Sequence, residues 1–166
     1  GVVEYTPDEM TVIVRAGTTV DELHGALAER GQRTALPERG GTVGGALAVG
    51  ENDLRSLGRG RLRASVLEVR YVSAGGRLVV GGGPTVKNVT GFDLVRLLVG
   101  SLGTLGALAQ ATLRTNPIPP VSRWLHAEEA DPFAVRDRLQ APSAVLWDGT
   151  SAWVQVEGHG GDVASE

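Results

Sequence analysis

The sequence predicts an α+β fold, with a mixed or antiparallel sheet and helices packed mainly on one side. Three observations carry that expectation. Runs rich in Val, Ile and Thr recur at strand length along the first two thirds of the chain. Between them lie short capped segments with apolar residues on one helical face. The glycines, 24 of 166 residues, gather in clusters rather than scatter.

Gly1 to Tyr5 and Thr11 to Ala16 read as strands, joined by a turn that places Pro7 where its fixed φ helps. Thr19-Val-Asp-Glu22 has the capping-box pattern. Behind it Val20, Leu23 and Leu27 share one face of a helix over residues 20–30, which stops at Gly31. Leu36-Pro37 leads into "ERGGTVGGALAVG", a glycine-dense loop followed by one or two short helical turns. Ser65 to Ser73 is a strand, and Ala74-Gly75-Gly76 turns it into a second, Arg77 to Val80. Phe92 to Val99 is a short helix with Leu94, Val95, Leu97 and Leu98 facing inward. Ala107 to Thr115 is a strand that ends at Pro117.

From Ile118 the texture changes. "PIPPVSRW" reads as a linker or edge crossing. A strand near Trp124 comes next, then a helix from Asp131 to Gln140 and strands at Ala144 to Trp147 and Ala152 to Glu157. Residues 1–117 therefore read as one domain, and 118–166 as the truncated start of a small C-terminal α/β appendage. The first residue falls inside a strand and the last residues begin a helix, so the chain reads as an excerpt of a longer protein.

The composition narrows the function classes. Apolar residues make up 42% and charged residues 21%, as in an ordinary globular protein. The net charge of -3 and the lack of a basic run argue against nucleic acid or anionic membrane as partner. Cysteine is absent, which excludes disulfides and thiolate metal sites. No apolar stretch is long enough to make an integral membrane segment. The cytoplasm is the expected compartment by exclusion, with membrane association only through partners. His24, His126 and His159 form no metal-binding pair. Asp8-Glu9, Asp21-Glu22 and Glu128-Glu129 are sequence neighbours, which do not face each other on a helix. Arg55 and Arg63 stand near the first glycine cluster and could answer a phosphate or a carboxylate; Arg63 reads rather as a solvated surface residue, and the choice for Arg55 stays open.

Two glycine clusters matter most, Gly40-Gly41-Thr42-Val43-Gly44-Gly45 and Gly100-Ser-Leu-Gly103-Thr-Leu-Gly106. Neither has the spacing of a dinucleotide fingerprint or a P-loop. Each alone is compatible with a tight turn. Together they suggest backbone that approaches a phosphate or the edge of a planar ring.

The order of motifs resembles the second FAD-binding subdomain of the PCMH-type (vanillyl-alcohol-oxidase-type) flavoproteins, and among them the E subunits of bacterial glycolate oxidases. "TVGGALA" resembles the family's T-[IV]-G-G segment, and "KNVTGFDLVRLLVGSLGTLG" resembles its K-N-x-x-G-[YF]-D-L segment. The resemblance implies FAD as cofactor. Pro37, Gly41, Thr42, Val43, Gly44, Gly45 and Ala48 are implied along the pyrophosphate and ribityl chain. Gly103, Gly106, Ala107 and Leu108 are implied at the flavin, with Gly60 at the family's aromatic-glycine pair, where Arg59 replaces the aromatic. Lys87, Asn88 and Asp93 are read as supports of the loop. The catalytic residue is not identified.

The function implied by this resemblance is an FAD-dependent oxidoreductase component, the small flavin-binding subunit of a glycolate or 2-hydroxy-acid oxidase. A larger flavoprotein, an iron–sulfur subunit and a small 2-hydroxy acid are its implied partners. A non-catalytic structural subunit and a related flavoenzyme with another substrate are the alternatives. The family's first subdomain, which holds the other half of the pyrophosphate cradle, has no counterpart before Gly1. The excerpt alone is therefore expected to be inactive and to hold FAD weakly or not at all.

Overall fold

The computed structural model describes residues 1–83 and 93–165. Lys87, Asn88 and the start of the "TGFD" motif lie outside the described residues. Strand β1 (Val2–Thr6) turns through a short 3-10 segment at Pro7–Glu9 into β2 (Thr11–Arg15). Helix α1 (Val20–Ala28), β3 (Gln32–Arg33) and α2 (Val43–Val49) come next. Then come α3 (Ser56–Arg59), α4 (Leu62–Ser65), β4 (Val66–Ser73) and β5 (Leu78–Gly82). After α5 (Leu94–Leu98) come β6 (Gly106–Arg114), β7 (Asn116–Pro117) and β8 (Val121–Ala127). The chain finishes with α6 (Pro132–Arg138), β9 (Pro142–Trp147), β10 (Ala152–Gly158) and α7 (Gly160–Ser165).

Two compact units result, Gly1–Asp53 with Arg61–Pro117, and Leu54–Gly60 with Ile118–Glu166. The first is built on a five-stranded sheet in the order β1-β2-β6-β4-β5. Every described pairing in it is antiparallel. The expected α+β class holds, with the sheet antiparallel throughout. Alternation decides which face is buried. Val12 and Val14 of β2 lie opposite Leu113 and Ala111 of β6, and Val69 of β4 also pairs with Ala111. These five side chains are buried with Val20, Leu23 and Leu27 of α1, Val43 and Leu47 of α2, and Val95 and Leu98 of α5.

Thr19 caps α1 by accepting the Glu22 amide, as the sequence pattern predicts. Helix α5 is shorter than expected. Asp93 caps it by accepting the Arg96 amide and also pairs with the Arg96 guanidinium at 3.0 Å. A helix of this length buries only one side. Val95 and Leu98 therefore go inward while Leu97, expected inside, is exposed. A further buried cluster joins β1 to β3 and β7. Gln32 accepts the Tyr5 and Thr115 hydroxyls at Oε1 and donates from Nε2 to the Pro7 carbonyl.

One buried hydroxyl is left over. Thr18 is 2% exposed, and its Oγ1 has no partner among the described residues. Thr18→Val is expected to raise stability by about 1 kcal/mol, because an isosteric apolar group removes an unmet hydrogen-bonding need. The urea unfolding midpoint reads the effect, and an unchanged or lower midpoint contradicts it.

The second unit has a three-stranded antiparallel sheet in the order β8-β10-β9. Val154, Val156 and Val163 form its core with Val135 and Leu139 of α6 and its C-terminal cap. Helix α3 reaches this unit from the middle of the chain. A Cβ added at Gly58 would lie 2.9 Å from the Ser143 Cβ. His126 stacks on Trp153 with ring centroids 4.1 Å apart. Asp148 accepts the amides of Ser151 and Thr150, which hold its carboxyl below the usual range. Among the described residues, no helix is long and apolar enough to cross a membrane.

Candidate functional site

The first glycine cluster begins where Ala35, Leu36 and Pro37 leave the core. It ends at Thr42, the N-cap of α2, whose Oγ1 accepts the Gly45 amide at 3.2 Å. The caps of α1 and α2 pair with each other, Thr19 against Thr42, in an isolated antiparallel bridge. The Val20 amide donates to the Gly41 carbonyl at 3.0 Å, and the Val43 amide to the Thr18 carbonyl at 2.8 Å. This clip fixes the loop against the start of both helices.

The amides at the start of α2 are already used. Val43 donates to Thr18, Gly44 to the Ala16 carbonyl at 2.8 Å, and Gly45 to the Thr42 side chain. The fold thus takes up the amides of the "VGG" segment itself. One step upstream, the amides of Gly40, Gly41 and Thr42 have no partner among the described residues. They border a cleft of about 220 Å³ lined by Pro37, Arg39, Gly40, Gly41, Thr42, Gly45, Ala46, Val49 and Glu51. Arg39 and Glu51 face each other there, with Nη1 2.8 Å from Oε1.

The second glycine cluster packs on the C-terminal half of α2, beyond the first cluster. The Gly100 amide donates to the Leu47 carbonyl at 3.0 Å, and the Leu102 amide to the Ala48 carbonyl at 2.8 Å. The Arg63 guanidinium donates to the Val99 carbonyl at 2.8 Å, so the expected surface arginine in fact anchors this loop. On the other side, Ala16 accepts from Gly44 and donates to the Ala109 carbonyl at 2.9 Å. Ala16 thus links the start of α2 to β6.

Spacing by threes in the second cluster has no single physical cause. Gly100 lies against Gly50 and holds φ +87, a conformation that L side chains rarely adopt. Gly103 adopts φ +74 in open space and serves the turn alone. Gly106 lies against β4, where a Cβ would sit 2.6 Å from the Val72 carbonyl oxygen. Gly44 is likewise required by packing, since its Cβ would meet the Ala16 Cβ at 2.7 Å. Leu102, at φ 53, holds a left-handed conformation without being glycine and is 72% exposed.

Of the residues expected at a cofactor, Pro37, Gly41, Thr42 and Gly45 line the cleft. Val43 turns its side chain into the core, and Ala48 contributes its carbonyl to the loop around Leu102. Gly106, Ala107 and Leu108 open β6 opposite Ser73, Val72 and Tyr71, with Gly103 in the turn before them. Gly60 caps α3 and belongs to the second unit, as does Arg55. His24, which bonds to Thr34 Oγ1 at 2.8 Å, and His126 in its stack are both engaged structurally. No group of metal-binding side chains occurs among the described residues. Arg39, Ala46, Val49 and Glu51 were not anticipated, whereas Gly40 belongs to the expected glycine cluster. The Arg39–Glu51 pair leaves no sequence signature, because the two residues meet only when α2 packs down between them.

Residues 1–82 match a family model described as an FAD binding domain. The glycolate oxidase subunit GlcE of Escherichia coli K12 is 33% identical over 173 residues, covering 98% of this chain and 49% of that protein. D-lactate dehydrogenase of Archaeoglobus fulgidus is 38% identical over 118 residues, covering 69% of this chain and 26% of that protein. Among solved structures, an alkyldihydroxyacetonephosphate synthase superposes with a TM-score of 0.77 at 18% identity, covering 99% of this chain and 38% of that one. The chain spans about half the length, or less, of these relatives.

Proposed function

Residues 1–82 belong to the FAD binding domain family of the PCMH-type flavoproteins, and from that premise we propose that the cleft beside Gly40–Thr42 receives the diphosphate of FAD. The observation that carries this reading is that Gly40, Gly41 and Thr42, whose amides have no partner among the described residues, line one cleft with Arg39. Unpartnered backbone N–H groups and an exposed guanidinium form a donor set for anionic oxygens. A volume of about 220 Å³ suits a diphosphate rather than a whole dinucleotide. The flavin end then extends toward the second cluster, along the exposed apolar side chains of Val49, Leu102 and Leu105. Gly103, Gly106, Ala107 and Leu108 border that end, in keeping with the family resemblance.

FAD, when bound, supplies a two-electron acceptor for oxidation of a substrate. The residues of this chain do the positioning. The clip of Thr19 and Thr42 fixes the donor loop, and Arg63 with the Leu47 and Ala48 carbonyls fixes the flavin-side turn. The substrate proposed for the whole protein is a 2-hydroxy acid. Similarity to a protein named as a glycolate oxidase subunit, and to one named D-lactate dehydrogenase, supports that class. The whole protein is then one subunit of a hetero-oligomer that includes a larger flavoprotein and an iron–sulfur subunit. Residues 118–166 are the proposed start of a C-terminal domain.

The experiment is equilibrium titration of the chain with FAD to millimolar concentration, following flavin fluorescence, beside the visible spectrum of the protein purified with its native partners. Saturable binding and a flavin spectrum are expected. A folded chain that leaves flavin fluorescence unchanged, or a native complex without flavin, overturns the proposal.

A further inference from the structure

We infer that the Arg39–Glu51 ion pair is a latch on this cleft: Glu51 occupies Arg39 while the cleft is empty, and an incoming diphosphate takes Arg39 over. The inference rests on the diphosphate reading above. Both side chains line the cleft, so the anion that enters meets a guanidinium already holding a carboxylate at 2.8 Å. The two partners are 57% and 46% exposed. An ion pair in that setting is held weakly and opens at little cost. A diphosphate carries more negative charge than one carboxylate and also reaches the amides of Gly40, Gly41 and Thr42, which Glu51 does not occupy. The exchange therefore runs toward the ligand. Glu51 is left as an anion beside a bound anion, and it lowers affinity in the occupied site. The cleft thus carries its own competitor, which rejects weakly charged anions and releases the diphosphate more readily than a purely cationic site would.

A structural ion pair and a latch predict opposite signs for one substitution. If Glu51 only steadied Arg39, removing its charge would weaken binding. As a latch, Glu51→Gln strengthens FAD binding by about 2–5-fold, the scale of an exposed pair. Arg39→Ala weakens it by roughly 10–150-fold, the scale of a hydrogen bond to a charged group. In the Arg39→Ala background, Glu51→Gln restores only part of its benefit, since no pair remains to be opened. Arg39→Ala also flattens the dependence of the FAD Kd on salt. Riboflavin, which has the ring but no phosphate, responds to neither substitution.

The test titrates wild type, both single variants and the double variant with FAD and with riboflavin, after circular dichroism melts show that all four are folded. FAD binding tightened by Glu51→Gln and weakened by Arg39→Ala, with riboflavin unaffected, supports the latch. FAD bound by wild type but unchanged or weakened by Glu51→Gln overturns the latch and leaves the diphosphate reading standing. A folded wild type that binds no FAD up to millimolar concentration overturns both.

Discussion

Gly50→Ala is expected to destabilise the protein by about 2–5 kcal/mol and to abolish flavin binding with it. Two costs add. Gly50 sits at φ +71, and holding an L-residue in that conformation costs roughly 1–2 kcal/mol. Its new Cβ would also lie 2.7 Å from the Gly100 Cα and N, and 3.3 Å from the Val99 carbonyl carbon. Those are backbone atoms, so no rotamer change relieves the overlap, and overpacking of this kind costs about 1–3 kcal/mol. The junction it forces apart is the one that carries the Gly100–Leu47 and Leu102–Ala48 hydrogen bonds. Gly103→Ala is the control. It bears the conformational cost at φ +74 but meets nothing within 4 Å, so about 1 kcal/mol is expected. Chemical denaturation of the two variants decides the matter, and equal losses would show that the contact between Gly50 and Gly100 is not tight.

The second large effect is expected at Gln32. Gln32→Ala should cost about 2–4 kcal/mol, through groups other than its own. Thr115 is fully buried and Tyr5 partly so, and both donate to the Gln32 Oε1. Burial pushes the Tyr5 hydroxyl pKa up, with Arg30 opposing, so the hydroxyl stays protonated and needs an acceptor. The Pro7 carbonyl loses the donor it had in Nε2. A buried donor or acceptor left unmet costs about 1–3 kcal/mol, and a water admitted to the new space recovers part of it. Tyr5→Phe, which removes one donor and leaves Gln32 with its other two bonds, should cost clearly less. Denaturant midpoints for the two variants give the comparison. A smaller loss for Gln32→Ala than for Tyr5→Phe would remove Gln32 from the centre of this network.

The sequence disclosed what is periodic or capped. Thr11–Arg15, Val66–Ser73 and Gly106–Arg114 announce themselves through β-branched alternation, and Val20–Ala28 through its cap and apolar face. The two glycine clusters were legible as special backbone, and the second packs on α2, the helix that the first one opens. Their reasons were not legible. Gly44 and Gly106 are required by neighbours distant in sequence, Ala16 and Val72, whose positions only the assembled sheet defines. Gln32 is hidden for the same reason, since its partners stand 27, 25 and 83 residues away. Motif spacing marks the segment, Gly41 and Thr42 included, but not which of its amides the cap and the neighbouring carbonyls consume.

Helix α3 lends Leu54–Gly60 to a unit whose remaining residues begin only at Ile118. During synthesis, this segment emerges long before the strand it packs on. Roughly 85 residues separate Gly58 from Ser143, which at about 5–20 residues per second is a wait of roughly 4–17 s. The smaller unit therefore cannot fold vectorially behind the larger one. Its first piece must stay unsatisfied, or be sheltered, until the last strands arrive. Nor can it be excised by one cut after Pro117, because the released fragment would lack α3 and expose the surface around Ser143. Two architectural units are stitched into one biosynthetic event, completed by the final third of the chain.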